Sequence, residues 1–208
     1  MRRLIVTIIL VTIAAAGCSK TPVPRNYVNT ANKFRINRPD GWDEVKDWSA
    51  LSSLDVAEVG LDRSVDVAFL APERTATASD ENAAPNDHGA PPLPRAVIGV
   101  KTLNALANPT AMALFEREKA NIIAKLTGRP DGEFTILKDG DFTTSNGKAY
   151  YVHCSWRKDR QEREGLLVFV VSARRAGMAL CGCAKDDYAA FEEVFNKTCQ
   201  SFYLDIEE

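Results

Sequence analysis

Histidine is scarce in this chain, which has only two histidines among 208 residues. His88 lies in a polar stretch without aromatic residues, and His153 directly precedes Cys154. Adjacent residues of a β-strand point to opposite faces, so His153 and Cys154 cannot act together as base and nucleophile. The sequence also has no Gly-x-Ser-x-Gly nucleophile elbow. Cysteine or serine catalysis with an imidazole base is therefore not expected.

The signatures of several other protein classes are missing as well. The sequence contains no P-loop, dinucleotide fingerprint, EF-hand loop or zinc-protease motif. The formal net charge is −2, or −4 without Arg2 and Arg3, and no block of like charge occurs. A nucleic-acid binder would carry a basic face or stripe. We therefore expect no enzymatic activity, no cofactor, no metal site and no nucleic-acid partner.

A stretch long enough to span a membrane is also lacking. The N-terminal apolar or small run from Leu4 to Ala16 has about 13 residues, whereas a spanning helix needs about 20. Its basic start, Met1-Arg2-Arg3, is typical of a signal peptide, which we predict over residues 1–17.

The residues after this run predict a lipid anchor. Ala15-Ala16-Gly17 directly before Cys18 resemble the lipobox of bacterial lipoproteins, in which the cysteine thiol takes a diacylglycerol and the cysteine becomes the new N-terminus. Acyl chains such as palmitate on Cys18 would hold the protein at the membrane of the cell envelope. The resemblance to Gram-negative lipoproteins implies that the absence of aspartate after Cys18 favours the outer membrane, facing the periplasm, if the source is Gram-negative. The alternative is a secreted protein cleaved near the same site.

Two segments are rich in proline and poor in apolar periodicity. Residues 18–25 predict a short, stiff tether. Residues 73–95 are rich in Ala, Pro, Asp and Asn and contain no aromatic residue. Such a segment buries too little apolar surface to offset its ordering entropy, so we expect a disordered loop within one domain over 26–208. Residues 44–61 are compatible with a short helix or a strand.

The remaining pattern predicts an α+β protein. The first helix is predicted over 108–130, capped by Asn108 and stopped by Gly128 and Pro130, with Met112, Phe115, Ile122 and Leu126 as its apolar stripe. The second begins at Asp186 or Asp187, with an inner stripe of Tyr188, Phe191, Val194, Phe195 and Thr198, followed by Phe202. Strands are predicted at 33–39, 65–72, 96–103, 133–142, 148–157, 165–173 and 177–185. Short connections between the last four predict an antiparallel meander, and together the elements form an antiparallel sheet flanked by helices.

Two stretches carry a resemblance to a known family. The residues YVNTANKFRINRPDGW (27–42) and FEEVFNKTCQSF (191–202), in this order of elements, resemble the PsbP-like family, which includes bacterial envelope lipoproteins. The resemblance implies an α/β/α sandwich over residues 26–206. It also implies a non-catalytic protein-binding or assembly module with an envelope protein as partner. A small-ligand or metal binder with a pocket between sheet and helix is one alternative, and a thiol oxidoreductase using Cys181 and Cys183 is the other.

Four cysteines remain once Cys18 is lipidated, namely Cys154, Cys181, Cys183 and Cys199. An even number in an oxidising compartment favours disulfides. Cys181 and Cys183 share one face of a strand about 7 Å apart, too far to bond each other. A terminal helix running back along this strand brings Cys199 near Cys181, which is the first expected pairing, with Cys183–Cys199 as the second. Reduced core cysteines, a metal site and a redox dithiol remain open.

The strand over 148–157 has two different faces. Cys154 lies on the apolar face with Tyr150, Val152 and Trp156, and it can reach Cys181 or Cys183 only if no strand intervenes. Tyr151 and His153 share the opposite, more polar face with Ser155 and Arg157. An antiparallel sheet can leave one face open to water, so Tyr151 and His153 form a candidate partner face. The alternative is a solvated or helix-covered face.

Overall fold

The computed structural model describes residues 26–46, 65–72, 93–103 and 109–205. The predicted signal peptide, Cys18 and the tether lie outside these residues. Residues 73–92 of the predicted loop also lie outside the described residues. The same holds for residues 47–61 of the segment 44–61, which is compatible with a short helix or a strand.

Ten strands and two helices form the described part of the chain. The strands are β1 (Asn26–Asn29), β2 (Phe34–Asn37), β3 (Asp43–Glu44), β4 (Val67–Leu70), β5 (Arg95–Thr102), β6 (Phe134–Thr144), β7 (Gly147–Lys158), β8 (Gln161–Val171), β9 (Arg175–Ala184) and β10 (Tyr203–Leu204). The helices are α1 (Ala111–Thr127) and α2 (Tyr188–Gln200), and a 3₁₀ turn at Lys185–Asp187 leads into α2.

Seven strands build the main sheet, in the order β3-β4-β5-β9-β8-β7-β6, and every neighbouring pair is antiparallel. The predicted meander is therefore confirmed for β6 to β9. Beyond it, β5 pairs with β9 and brings Ala96 opposite Cys181.

The two helices cover opposite faces of this sheet. Residues of α1 form a core with the inward side chains of β7, β8 and β9, including Val152, Leu167 and Leu180. Residues of α2 form a second core on the other face, where Phe195 lies with Val168 of β8 and Ala179 of β9. Strands β8 and β9 are apolar on both faces because both faces are covered. The predicted α+β class with an antiparallel sheet between helices is confirmed.

Helix α1 differs from the predicted one at its start. Thr110, not Asn108, is the N-cap, and its Oγ1 accepts a hydrogen bond from the Ala113 N–H at 3.1 Å. The helix therefore begins at Ala111 and ends before Gly128, which adopts φ = 78°. Leu114 takes the buried position expected for Met112, whose side chain is 55% exposed.

A small second sheet was not predicted. It has the order β1-β2-β10, so the chain's first and last described strands both pair with β2. A turn at Pro39–Trp42 follows β2, with the Trp42 N–H donating to the Pro39 carbonyl at 3.2 Å. A side chain at Gly177 would collide with the ring of Phe202, so this glycine lets the segment after α2 lie close to β9.

Candidate functional site

Three of the four described cysteines lie on the face of the sheet that α2 covers. Strand alternation directs Cys181 and Cys183 to this face, and Cys199 lies on the inner side of α2. All three are buried thiols outside any disulfide bond. The Sγ atoms of Cys181 and Cys199 are 3.6 Å apart, in hydrogen-bond contact. The structure thus brings together the two cysteines of the first expected pairing.

Cys154 lies on the other face of the sheet. It belongs to the core beneath α1 with Val152 and Trp156, and its Sγ is 3.8 Å from the carbonyl oxygen of Gly165. Strand β8 separates β7 from β9. Both the intervening strand and the opposite orientation keep Cys154 away from Cys181 and Cys183.

The environments of Cys181 and Cys154 disfavour the ionised forms of these two thiols. The hydrogen bond with Cys199, together with burial, raises the pKa of Cys181 well above its ordinary value. Burial also raises the pKa of Cys154. The thiolate is the reactive form of cysteine, and catalytic thiols are partly exposed with lowered pKa values. The geometry of Cys181 and Cys183 therefore gives no support to a thiol oxidoreductase.

His153 takes part in a cluster on the same face as Cys181. Its Nε2 lies 2.8 Å from Oε1 of Glu164 on the neighbouring strand. Its imidazole stacks on the ring of Tyr188, the first residue of α2, with ring centroids 4.6 Å apart. The partner face predicted around His153 is therefore partly covered by the start of α2. Tyr151 is half-buried and packs against Phe142.

An open polar cleft lies on the same side of the sheet, further along β7. Its volume is about 210 Å³, and it is lined by Glu133, Thr135, Ser155, Trp156, Arg157, Glu162 and Lys185. Arg157 forms ion pairs with Glu133 at 2.9 Å and with Glu162 at 2.6 Å, while Lys185 reaches Glu162 at 2.8 Å. These charged groups are well exposed, and we call this surface the polar cleft.

The cleft residues outside β7 were not predicted as site residues from the sequence. Arg157 pairs across the sheet with Glu162, and Thr135 with Ser155. Residues 156–164 carry charges of both signs and include the turn between β7 and β8. The convergence of Glu133 and Lys185 on Arg157 and Glu162 depends on the meander register, for which the sequence offers no local signal.

A metal centre finds no support in the described residues. Among residues 26–46, 65–72, 93–103 and 109–205, no group of three or more His, Cys, Asp or Glu side chains is arranged to hold a metal ion. His153 contacts a carboxylate and an aromatic ring, and Cys181 contacts Cys199.

Comparisons with solved structures show which known fold this chain has. The structure superposes on cyanobacterial PsbP from Synechocystis sp. PCC 6803 with a TM-score of 0.57 and 12% sequence identity, covering 92% of this chain and 98% of that one. The chain has the PsbP-like fold. It also matches LpqN of Mycobacterium tuberculosis, a protein involved in cell envelope biogenesis, with a TM-score of 0.50 and 12% identity, covering 86% and 88% of the two chains. No protein-family model and no curated protein matches the sequence.

The PsbP-like fold accounts for the sequence resemblance at 27–42 and 191–202. In this chain the first stretch supplies β1, β2 and the turn to Trp42, and the second supplies most of α2 and Phe202. The two stretches meet in one core, where Trp42 packs edge-on against Phe195 with ring centroids 6.3 Å apart. The resemblance thus rests on residues that define the fold.

Proposed function

We propose that this PsbP-like chain is a lipid-anchored protein of the cell envelope that acts as a non-catalytic protein-binding or assembly module. The observation that carries the proposal is the combination of a PsbP-like fold with Cys18 at the end of a signal-like apolar run. The likeness to LpqN, a protein of cell envelope biogenesis, supports the same address. In the described part of the chain, no helix is long and apolar enough to span a membrane. We propose the outer membrane, facing the periplasm, if the source is Gram-negative.

The burial of the cysteine thiols and the contacts of His153 support a module without catalysis. The thiols of Cys154, Cys181, Cys183 and Cys199 are buried, and the imidazole of His153 is engaged by Glu164 and Tyr188. A catalytic nucleophile needs a base within hydrogen-bond reach. The contact of Cys181 with Cys199 joins two thiols, and neither partner is an imidazole or carboxylate base.

The polar cleft is the surface that we propose for the protein partner. It continues the Tyr151–His153 face toward the end of β7, where Arg157 is exposed. Its charged groups, Arg157, Glu162 and Lys185, are exposed and of both signs, which suits a polar partner surface of complementary charge. At about 210 Å³ it is smaller than the roughly 300–1,000 Å³ of small-molecule sites, which favours a protein over a small ligand.

The lipid anchor can be tested by metabolic labelling of the full chain with an alkyne analogue of palmitate. We expect label on the wild type and on the matched control Ser19→Ala, and none on Cys18→Ala. The Cys18→Ala chain should also leave the membrane fraction. Label retained by Cys18→Ala, or absent from the wild type, would contradict the anchor.

The partner surface can be tested by photo-crosslinking in living cells. A photoreactive residue at the exposed position Thr135 probes the polar cleft, and one at the exposed position Asn121 of α1 probes the opposite side. We expect a discrete adduct of defined mass from position 135 only, lost when Arg157→Glu and Lys185→Glu are added. Equal adducts from both positions, or an adduct that survives the charge reversal, would reject the cleft as the binding surface.

A further inference from the structure

We propose that Cys181 and Cys199 form a disulfide that fastens α2 to β9, while Cys154 and Cys183 remain thiols. The inference rests on the proposed location in the cell envelope, because disulfide bonds persist in oxidising compartments. It adds a covalent modification to a helix whose inner side closes the core on one face of the sheet.

The geometry selects the two partners. Both thiols are fully buried, and their Sγ atoms are 3.6 Å apart. A disulfide has a sulfur–sulfur distance of about 2.05 Å, so the two atoms must approach by about 1.5 Å. Cys181 is held opposite Leu166 and Ala96 in the middle of the sheet, and Cys199 is held in the last turn of α2. Both elements therefore already place the two sulfurs close to bonding distance.

The same geometry separates the other two cysteines from this pair. Cys183 shares the face of Cys181 but lies two residues further along β9, a displacement of about 6.6 Å. Cys154 faces α1 from β7, across the sheet from Cys199. The sequence left Cys183–Cys199 open as the second pairing, and the contact seen in the structure favours Cys181.

The bond forms by thiol–disulfide exchange with an envelope thiol–disulfide oxidoreductase in its disulfide form. The thiolate of one cysteine attacks that disulfide, giving a mixed disulfide and releasing one thiolate of the oxidant. The thiolate of the second cysteine then attacks the mixed disulfide and releases the other thiolate of the oxidant. The two protein thiols lose two protons and two electrons, and the oxidant becomes a dithiol.

The exchange takes place before α2 docks on the sheet. In the folded protein both sulfurs are inaccessible, and the raised pKa of Cys181 leaves little thiolate for attack. While the chain is folding after export, both cysteines are exposed to the oxidant. The finished bond is then protected from reductants by the same burial.

Peptide mapping tests the inference on the full chain isolated from cell membranes. The chain is precipitated with acid to stop thiol exchange, and free thiols are then blocked with excess N-ethylmaleimide in urea near pH 7. Trypsin releases residues 176–185, with Cys181 and Cys183, and residues 198–208, with Cys199. We expect these two peptides to be linked, and the peptide with Cys154 to carry the blocking group. Free thiols at all four positions would overturn the proposal.

Two serine variants resolve which cysteine of residues 176–185 is bonded. We expect the link to persist in Cys183→Ser with essentially full yield and to disappear in Cys181→Ser. A link that survives Cys181→Ser and vanishes in Cys183→Ser would assign the bond to Cys183 and refute the inference.

Failure of this inference is distinguishable from failure of the proposed function. Membrane-derived chain that carries the palmitate label but has four free thiols rejects the disulfide and leaves the anchor intact. The reduced, unfolded full chain can also be refolded in a glutathione redox buffer, which supplies oxidant without any envelope address. Linked peptides in that sample, from a chain whose Cys18 is unlabelled in cells, would support the disulfide and reject the anchor.

Discussion

The imidazole of His153 lies stacked on the phenol ring of Tyr188, with ring centroids 4.6 Å apart and ring planes 16° from parallel. His153 is on β7, and Tyr188 is the first residue of α2. Glu164 on β8 holds the far nitrogen of the imidazole at 2.8 Å. Three elements therefore meet at one point, which fixes where α2 begins over the sheet.

The first prediction concerns the ring of Tyr188, which is buried against His153 and Phe195. Tyr188→Ala should lower the free energy of unfolding by about 3–5 kcal/mol, as for other large aromatic truncations in a core. Tyr188→Phe keeps the ring and should cost less than about 1.5 kcal/mol. Urea unfolding at fixed pH measures both. An equal loss from both variants would show that the hydroxyl, not the ring, provides the stabilisation.

An exposed apolar residue provides the control for this comparison. Met112 is 55% exposed at the start of α1, so Met112→Ala should change the free energy of unfolding by no more than about 0.5 kcal/mol.

The second prediction concerns the indole of Trp156, which lies across two paired glycines. Gly165 and Gly182 face each other in register on β8 and β9. A Cβ at Gly182 would lie 3.0 Å from the indole, whereas one at Gly165 would lie 2.6 Å from the carbonyl oxygen of Cys181. The backbone has less freedom to move than a side chain. Gly165→Ala should therefore lower the free energy of unfolding by about 1–3 kcal/mol, and Gly182→Ala should lower it by less.

A double-mutant cycle separates the effect of the Trp156 indole from that of the Cys181 carbonyl oxygen. In a Trp156→Leu background, the cost of Gly182→Ala should fall while the cost of Gly165→Ala largely remains, as measured by thermal or urea unfolding. An unchanged cost of Gly182→Ala in that background would mean that the indole is not what excludes a side chain there.

The third prediction concerns Asp66, whose carboxylate joins the small sheet's hairpin to β5. One oxygen accepts a hydrogen bond from the Val100 N–H at 2.6 Å, and the other accepts one from the side-chain amide of Asn32. Burial raises the pKa of Asp66 above its ordinary 3.8, although both hydrogen bonds oppose the shift. The folded state therefore holds this proton more tightly than the unfolded state.

The sign of the pH dependence follows from this difference. As pH rises from the ordinary pKa through the raised one, the contribution of Asp66 to stability falls, and above that window it is constant. Relative to Asp66→Asn, the wild type should lose free energy of unfolding as the pH rises from the ordinary pKa of 3.8 toward neutral. Urea unfolding of both proteins across that range measures the difference. A gain by the wild type over the same range would mean that the hydrogen bonds outweigh burial.

The sequence accounts for much of the fold because its signals are local. The connections between the last four long strands predicted the meander, and alternation along β7 correctly separated Cys154 from His153. The small sheet was missed because β10 is only two residues long and finds its partner, β2, about 170 residues earlier in the chain. Met112 was assigned to the apolar stripe of α1 because it lies three residues before Phe115, but it lies in the exposed first turn, and Leu114 is buried instead.

The sequence by itself determined the order of the elements and the face on which each strand residue lies, because backbone periodicity is a property of neighbouring residues. It also determined which cysteines share the α2 face of β9. Only the tertiary structure decided that Cys199 contacts Cys181 and that Tyr188 stacks on His153. It also decided that Arg157 lines a polar cleft. Those relationships depend on strand register and on how far α2 advances along the sheet. Both are set by the packing of side chains that are distant in sequence.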